Sequence, residues 1–284
     1  MARPLRIEYP GAVYHITARG NARQNIFVND TDRTSFLEIL AETTMRYNWL
    51  CHAYCLMDNH YHLLLETPDP NLSLGMRQLN GVYTQSFNRQ HLRVGHVFQG
   101  RFKSILVEKE THLLELCRYI VLNPVAARLV RCPSEHSWSS YNFTAKSIKK
   151  TEFLYTDWLL AQFSSSRKTA RKLYMDFVTA GISDNSVRPW EKLFGQVILG
   201  EEAFVSKIQK LIDEKKNVKE IPKIQRFPGR PALNELFKEN TLHNKSERNR
   251  IIHHAHLEYG YTLKEIGDTL GIHYSTVSRV IKAT

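Results

Sequence analysis

Apolar and polar positions along the chain alternate between two periods, and the changes of period mark the elements. Val13-Tyr14-His15-Ile16-Thr17-Ala18-Arg19 is rich in β-branched and aromatic residues and stops at Gly20-Asn21, which predicts a strand followed by a turn. Phe36, Ile39, Leu40, Thr43 and Tyr47 then recur at helical spacing, with Asp30 or Thr31 able to cap the helix they predict. The largely apolar run Cys51 to Glu66 reads as strand with a break at Asp58-Asn59, and Pro68 and Pro70 end it. A second helix follows from Leu72, Met76, Leu79, Val82, Tyr83 and Phe87, with Arg77, Arg89 and Arg93 left for its exposed side. Phe102 to Glu108 predicts another strand. A third helix spans about Thr111 to Leu122, where Pro124 is expected to stop it. Strands and helices alternate, yet some connections are short, so the expected class is α+β, a sheet with helices packed on one face.

Composition narrows the picture. The chain has 284 residues, 42% of them hydrophobic, enough for a core and incompatible with a disordered or collagen-like chain. Four cysteines, Cys51, Cys55, Cys117 and Cys132, form no C-x-x-C pair, which speaks against a disulfide framework or a structural zinc site. No window reaches the about 18 apolar residues of a membrane span, so a soluble, cytoplasmic protein with no membrane partner is expected. The formal charge of +11 is concentrated in two places: residues 71–131 and residues 207–284 contribute +6 each, and the rest nearly cancels. Two basic regions suggest two places to hold a polyanion such as nucleic acid. Basic side chains kept for solubility are the alternative.

Candidate chemistry sits in two short segments. His60 and His62 are two apart in a run that reads as strand, so both imidazoles project from one face and either bind a metal ion or pack as a polar pair. Tyr119 and Asn123 are one turn apart if the third helix continues that far. A phenol there could act as a nucleophile and an amide as a neutral oxygen ligand. Ordinary packing for Tyr119 and a helix C-cap for Asn123 are the simpler alternatives.

MDNHYHLLLE, GRFKSILVE and CRYIVLNPV, preceded in order by YHITARGN and FLEIL, resemble the REP-associated tyrosine transposases, relatives of the single-tyrosine HUH transposases of insertion sequences. The resemblance covers about residues 5–140. It implies a ferredoxin-like antiparallel sheet whose central strand presents His60 and His62 as metal ligands toward a helix carrying Tyr119 as the nucleophile. Asn123 falls where related enzymes commonly place a glutamine as third ligand. The implied cofactor is a divalent metal, Mg²⁺ or Mn²⁺, and the implied reaction is cleavage and rejoining of single-stranded, hairpin-associated DNA through a 5′-phosphotyrosine. Arg77, Arg89, Arg93, Arg101, Lys103 and Arg118 are the expected DNA contacts of this part of the chain. Tyr119 could meet the histidines of its own chain or those of a partner subunit, so a homodimer is one arrangement the resemblance allows.

Near the C-terminus, Leu263, Ile266 and Leu270 line one short helix, Gly271 permits a sharp turn, and Val277, Val280 and Ile281 face inward from the next. The pattern resembles the helix-turn-helix of the replication initiator DnaA and of bacterial regulators. It offers Tyr274, Ser275, Thr276, Ser278, Arg279 and Lys282 to duplex DNA. The expected division is a catalytic domain at 1–140, a helical accessory region and linker at 141–235, with Lys215-Lys216-Asn217-Val218-Lys219 in the linker, and an all-α helix-turn-helix domain at 236–284. Gly229-Arg230-Pro231 also matches the core of a minor-groove arm, although a plain turn explains it as well. The competing function is a noncatalytic, sequence-specific DNA-binding transcriptional regulator.

Overall fold

A computed structural model describes residues 6–146, 148, 153–183, 189–212, 227–237 and 245–282. The chain divides into two compact units, Arg6–Leu193 with Ile198–Gly200, and Glu201–Thr284 with Phe194–Val197. The first is built on β1 (Ala12–Arg19), α1 (Asp30–Arg46), β2 (Leu50–Met57), β3 (His60–Thr67), α2 (Leu72–Gln90), β4 (Lys103–Val107) and α3 (Lys109–Ala126), followed by α4 (Tyr141–Ala145), α5 (Asp157–Ala161) and α6 (Arg167–Ser183). The four long strands run antiparallel in the order β2-β3-β1-β4, the ferredoxin-like arrangement. Ile198–Leu199 joins β4 in parallel.

Alternation along β3 sorts the two faces. Tyr61, fully buried, points to the side of α1 and α2, where its ring meets Phe36 and its hydroxyl donates to Asn80 Oδ1 at 2.6 Å. Leu64 points the other way, into a core with Leu113, Leu116, Cys117 and Ile120 of α3. Helices cover both faces of the sheet and not one face alone as the pattern suggested: α1 packs against α2 on the Tyr61 side, and the other side carries α3 backed by α4, α5 and α6. The division expected at residue 140 therefore does not occur. Tyr141, Ala145, Leu159, Leu160, Ala170, Tyr174 and Val178 complete the α3 core, so residues 141–183 belong to the first unit. The boundary expected at 235 also moves, because the second unit begins at Glu201. The lysine-rich stretch 215–219 lies outside the described residues.

Pro124 does not stop α3, which runs on to Ala126. A proline lacks the N–H that would pair with the carbonyl four residues back. Here that carbonyl, Ile120 O, receives Asn123 Nδ2 at 3.4 Å, and the same amide donates to Tyr119 O at 2.8 Å.

In the second unit, α7 (Glu202–Ile212) buries Val205, Ile208 and Ile212. The short α8 (Leu233–Leu236) precedes α9 (Lys245–Leu257), α10 (Leu263–Leu270) and α11 (Tyr274–Lys282), and Ile252, Ala255, Ile266 and Val277 form the buried centre of this group. Thr262 caps α10 through a reciprocal pair with Glu265, and Gly271 closes it at φ 64°, the left-handed conformation the turn needs. Arg230 does not extend as an arm. Its guanidinium lies 3.7 Å from the centre of the Tyr261 ring and pairs with Glu265, so Gly229-Arg230-Pro231 is part of the folded unit.

Candidate active site

Antiparallel pairing assembles a pocket from strands far apart in the chain. β1 and β3 place Thr17 beside His62 and Arg19 beside His60, and β1 and β4 place Thr17 beside Lys103. Those residues, with Gln99, Arg101, Tyr119 and Asn123, line a cavity of about 380 Å³ at the end of the sheet. The hairpin between β2 and β3 turns at Asp58-Asn59, which leaves the two histidines at positions i and i+2 on the α3 side. Tyr119 and Asn123 reach the same space from α3 because the helix continues past Pro124. The tyrosine and the histidine pair thus converge within one chain.

The ring centroids of His60 and His62 are 5.1 Å apart, and that of Tyr119 lies 6.0 Å from His62. His60 Nδ1 faces Asn59 Oδ1 at 2.7 Å, and His62 Nδ1 faces Nε2 of His15 at 2.9 Å. Burial holds His60 below its ordinary pKa, with the cation of Arg19 acting in the same direction and Asp58 against it. Burial, then His15, His60 and Arg19, hold His62 well below. Both rings are therefore neutral at neutral pH, the form in which imidazole binds a metal. For Tyr119, burial raises the phenol above its ordinary value, and hydrogen bonds with Trp190 and Asn123 oppose that rise. The Trp190 ring stands edge-on to the phenol, with centroids 5.2 Å apart.

The donor set fits a divalent ion. Two neutral imidazoles have their Nδ1 atoms engaged behind them, and Asn123 spends its N–H bonds on the α3 backbone, which leaves a carbonyl oxygen. Among the described residues no three His, Cys, Asp or Glu side chains come together as a metal site, and the further donors lining the cavity with the histidines are neutral ones such as the Asn123 amide. Arg19, Arg101 and Lys103 surround the cavity without a carboxylate partner among the described residues, which gives it a positively charged rim.

Other expected contacts fall elsewhere. Arg118 is a correction: it is 8% exposed, paired with Glu115 at 2.5 Å and stacked on Phe177, so it braces α3 against α6 and faces no ligand. Arg77 and Arg89 are exposed on α2, across the sheet from the histidines, and do not line the pocket. Arg93 is exposed and donates to Gln24 Oε1 at 3.1 Å. The aromatic residues of this basic region, Tyr83, Phe87, Phe98 and Phe102, are buried in the core. In α11, Tyr274 and Arg279 are exposed and Ser275, Thr276 and Ser278 half-buried, while the Lys282 side chain lies outside the described residues. Sequence reading missed Thr17, Arg19, Gln99, His15 and Trp190. The alternation of His15, Thr17 and Arg19 was visible, but their neighbour on the next strand was not.

Residues 9–123 match the model of the family described as transposase IS200 like. A Haemophilus influenzae protein described as a REP-associated tyrosine transposase is 25% identical over 159 residues, 52% of this chain and 88% of that protein. Among solved structures, a REP-associated tyrosine transposase bound to a REP hairpin aligns with TM-score 0.46 and 15% identity, over 55% of this chain and 98% of its own. A transposase structure from Deinococcus radiodurans R1 aligns with TM-score 0.32 and 19% identity, over 42% of this chain and 95% of its own. The pocket falls entirely inside the matched segment, with Tyr119 and Asn123 at its end, so the likeness to the IS200-like transposase family covers residues 9–123 and all the residues that line the cavity.

Proposed function

We propose that this pocket cleaves and rejoins single-stranded DNA beside a hairpin, with Tyr119 as the nucleophile. The observation that carries the reading is the convergence of Tyr119, His60, His62 and Asn123 in one cavity ringed by Arg19, Arg101 and Lys103. Tyr119 Oη attacks the phosphorus in line with the P–O3′ bond. The phenol loses its proton, the bond to O3′ breaks, and the departing oxygen takes up a proton as a free 3′-OH. The strand is left joined to Tyr119 through its 5′-phosphate. Because the phosphodiester is conserved in the adduct, a second 3′-OH can reverse the step and rejoin DNA without a nucleotide cofactor.

A free phenol with pKa near 10 is only about 0.1% ionised at pH 7, and burial makes Tyr119 weaker still. His60, His62 and Asn123 Oδ1 would hold Mg²⁺ or Mn²⁺. Bound there, the ion supplies positive charge to the non-bridging phosphate oxygens as the crowded transition state forms. Arg19, Arg101 and Lys103 hold the flanking phosphates, and the Trp190 indole N–H, which can only donate, keeps the phenol oxygen oriented. Tyr274 and Arg279 of α11 give the second unit a surface suited to duplex DNA.

Denaturing-gel capture of a covalent complex with hairpin-flanked single strands and Mn²⁺ tests the reading. Wild type should form the adduct, and Tyr119→Phe should bind the same oligonucleotide without forming it. An adduct that persists in the variant removes Tyr119 from the role. A wild type that binds duplex equally well with chelator and forms no adduct is the regulator instead.

A further inference from the structure

His15 sits on β1 behind the histidine pair, 3% exposed, and does not line the cavity. Its ring lies edge to edge with that of His62 and nearly in the same plane, at 10° between planes and 5.2 Å between centroids, with Nε2 2.9 Å from His62 Nδ1. We propose that His15 is a positioning residue that accepts the Nδ1–H of His62 and so keeps the Nε2 lone pair of His62 turned toward the cavity. The inference rests on the metal-binding role proposed above for His62.

A neutral imidazole carries one N–H, so this contact has two forms. In one, His62 donates from Nδ1 and its Nε2 is free to bind a cation. In the other, His15 donates from Nε2, and the His62 proton sits on Nε2, where it blocks a ligand. A metal at the site selects the first form, and only an acceptor at position 15 supports it. His60 has the same support from a different residue. Asn59 Oδ1 accepts from His60 Nδ1, and the amide is oriented because its Nδ2 donates to Arg23 O at 3.3 Å. Each of the two ligands thus has its own acceptor behind it, one in the hairpin turn and one in the core.

The fold alone does not explain a histidine at this position. His15 Nδ1 is buried with no hydrogen-bond partner among the described residues, a feature that weakens a core. Val13 and Ile105 show what that face otherwise contains, and an aliphatic side chain would satisfy it. A carboxylate would accept the same proton but would bring a full negative charge into the core beside a phosphate-binding pocket. The neutral ring accepts without that charge.

The test measures Mn²⁺ binding to the full chain by electron paramagnetic resonance, with thermal melting of the metal-free proteins alongside. His15→Gln retains a carbonyl acceptor and should bind Mn²⁺ nearly as wild type does. His15→Leu should bind about 10–100-fold more weakly while melting no lower than wild type in the metal-free state. A merely structural role would lower melting in both variants and would not separate Gln from Leu, and that result overturns the proposal. Wild-type affinity in His15→Leu overturns it too and leaves the metal site standing, whereas a wild type that binds no Mn²⁺ overturns the metal reading and this inference with it. Nitrogen-15 shifts of the His62 ring in the Mg²⁺-loaded wild type need no variant: a proton on Nδ1 is expected, and a proton on Nε2 overturns the assignment.

Discussion

Single residues here do work that their letters only half announce. Arg118 reads as a phosphate contact and is a buried brace between Glu115 and Phe177. Asn123 reads as a helix cap and instead pays out its amide protons to carry α3 past Pro124. Glu66, at the other end of β3 from the histidines, is a third case. Burial pushes its carboxyl up, but hydrogen bonds from His52 and Lys109 outweigh that, and the net shift is downward. A carboxyl lowered in the folded state stabilises the protein above its unfolded pKa of about 4.3, and that stability is lost as pH falls through the folded value. Thermal melting followed from pH 7 down to pH 3 should therefore fall in acid. Glu66→Gln should melt lower than wild type at pH 7 and show a flatter acid limb, and parallel curves for the two proteins would refute the assignment.

At the scale of elements, most of the architecture was legible because periodicity reports which positions must leave water. The hairpin at Asp58-Asn59, the two-residue spacing of the histidines and the opposite orientation of Tyr61 all follow from the period of two and are observed. The extent of α3 was not legible, since a proline argues locally for a stop and the side chain that compensates is visible only in the helix. The α10–α11 turn shows the reverse, a local signal that survives. Besides Gly271 it depends on Gly267, where an added Cβ would stand 2.7 Å from Ile272 O, a backbone atom that cannot move aside alone. Gly267→Ala should destabilise the second unit by about 1–3 kcal/mol through overpacking. Calorimetry of the full chain should show this as a lowered transition, and an unchanged trace would mean that the turn relaxes freely.

At the scale of the whole molecule, the two basic regions resolve into different kinds of surface. One contributes Arg101 and Lys103 to the rim of the pocket, and the other ends in α11 with Arg279. If the second surface holds duplex DNA, Arg279→Ala should weaken duplex binding and lower the slope of log affinity against log salt by about 1. Adduct formation on a short single strand should be unaffected. Equal loss of both activities would show that the α11 surface is not a separate DNA contact. The chain alone determined which residues face inward along each strand and helix, the paired histidines, the candidate phenol and the place of the positive charge, because these depend on local period and composition. Which strands lie side by side, and so that His15 backs His62, that Arg19 joins the rim and that residues 141–183 pack onto α3, was decided only by the tertiary structure. Such neighbours are chosen by burial and hydrogen bonding between segments tens of residues apart, and no local pattern records them.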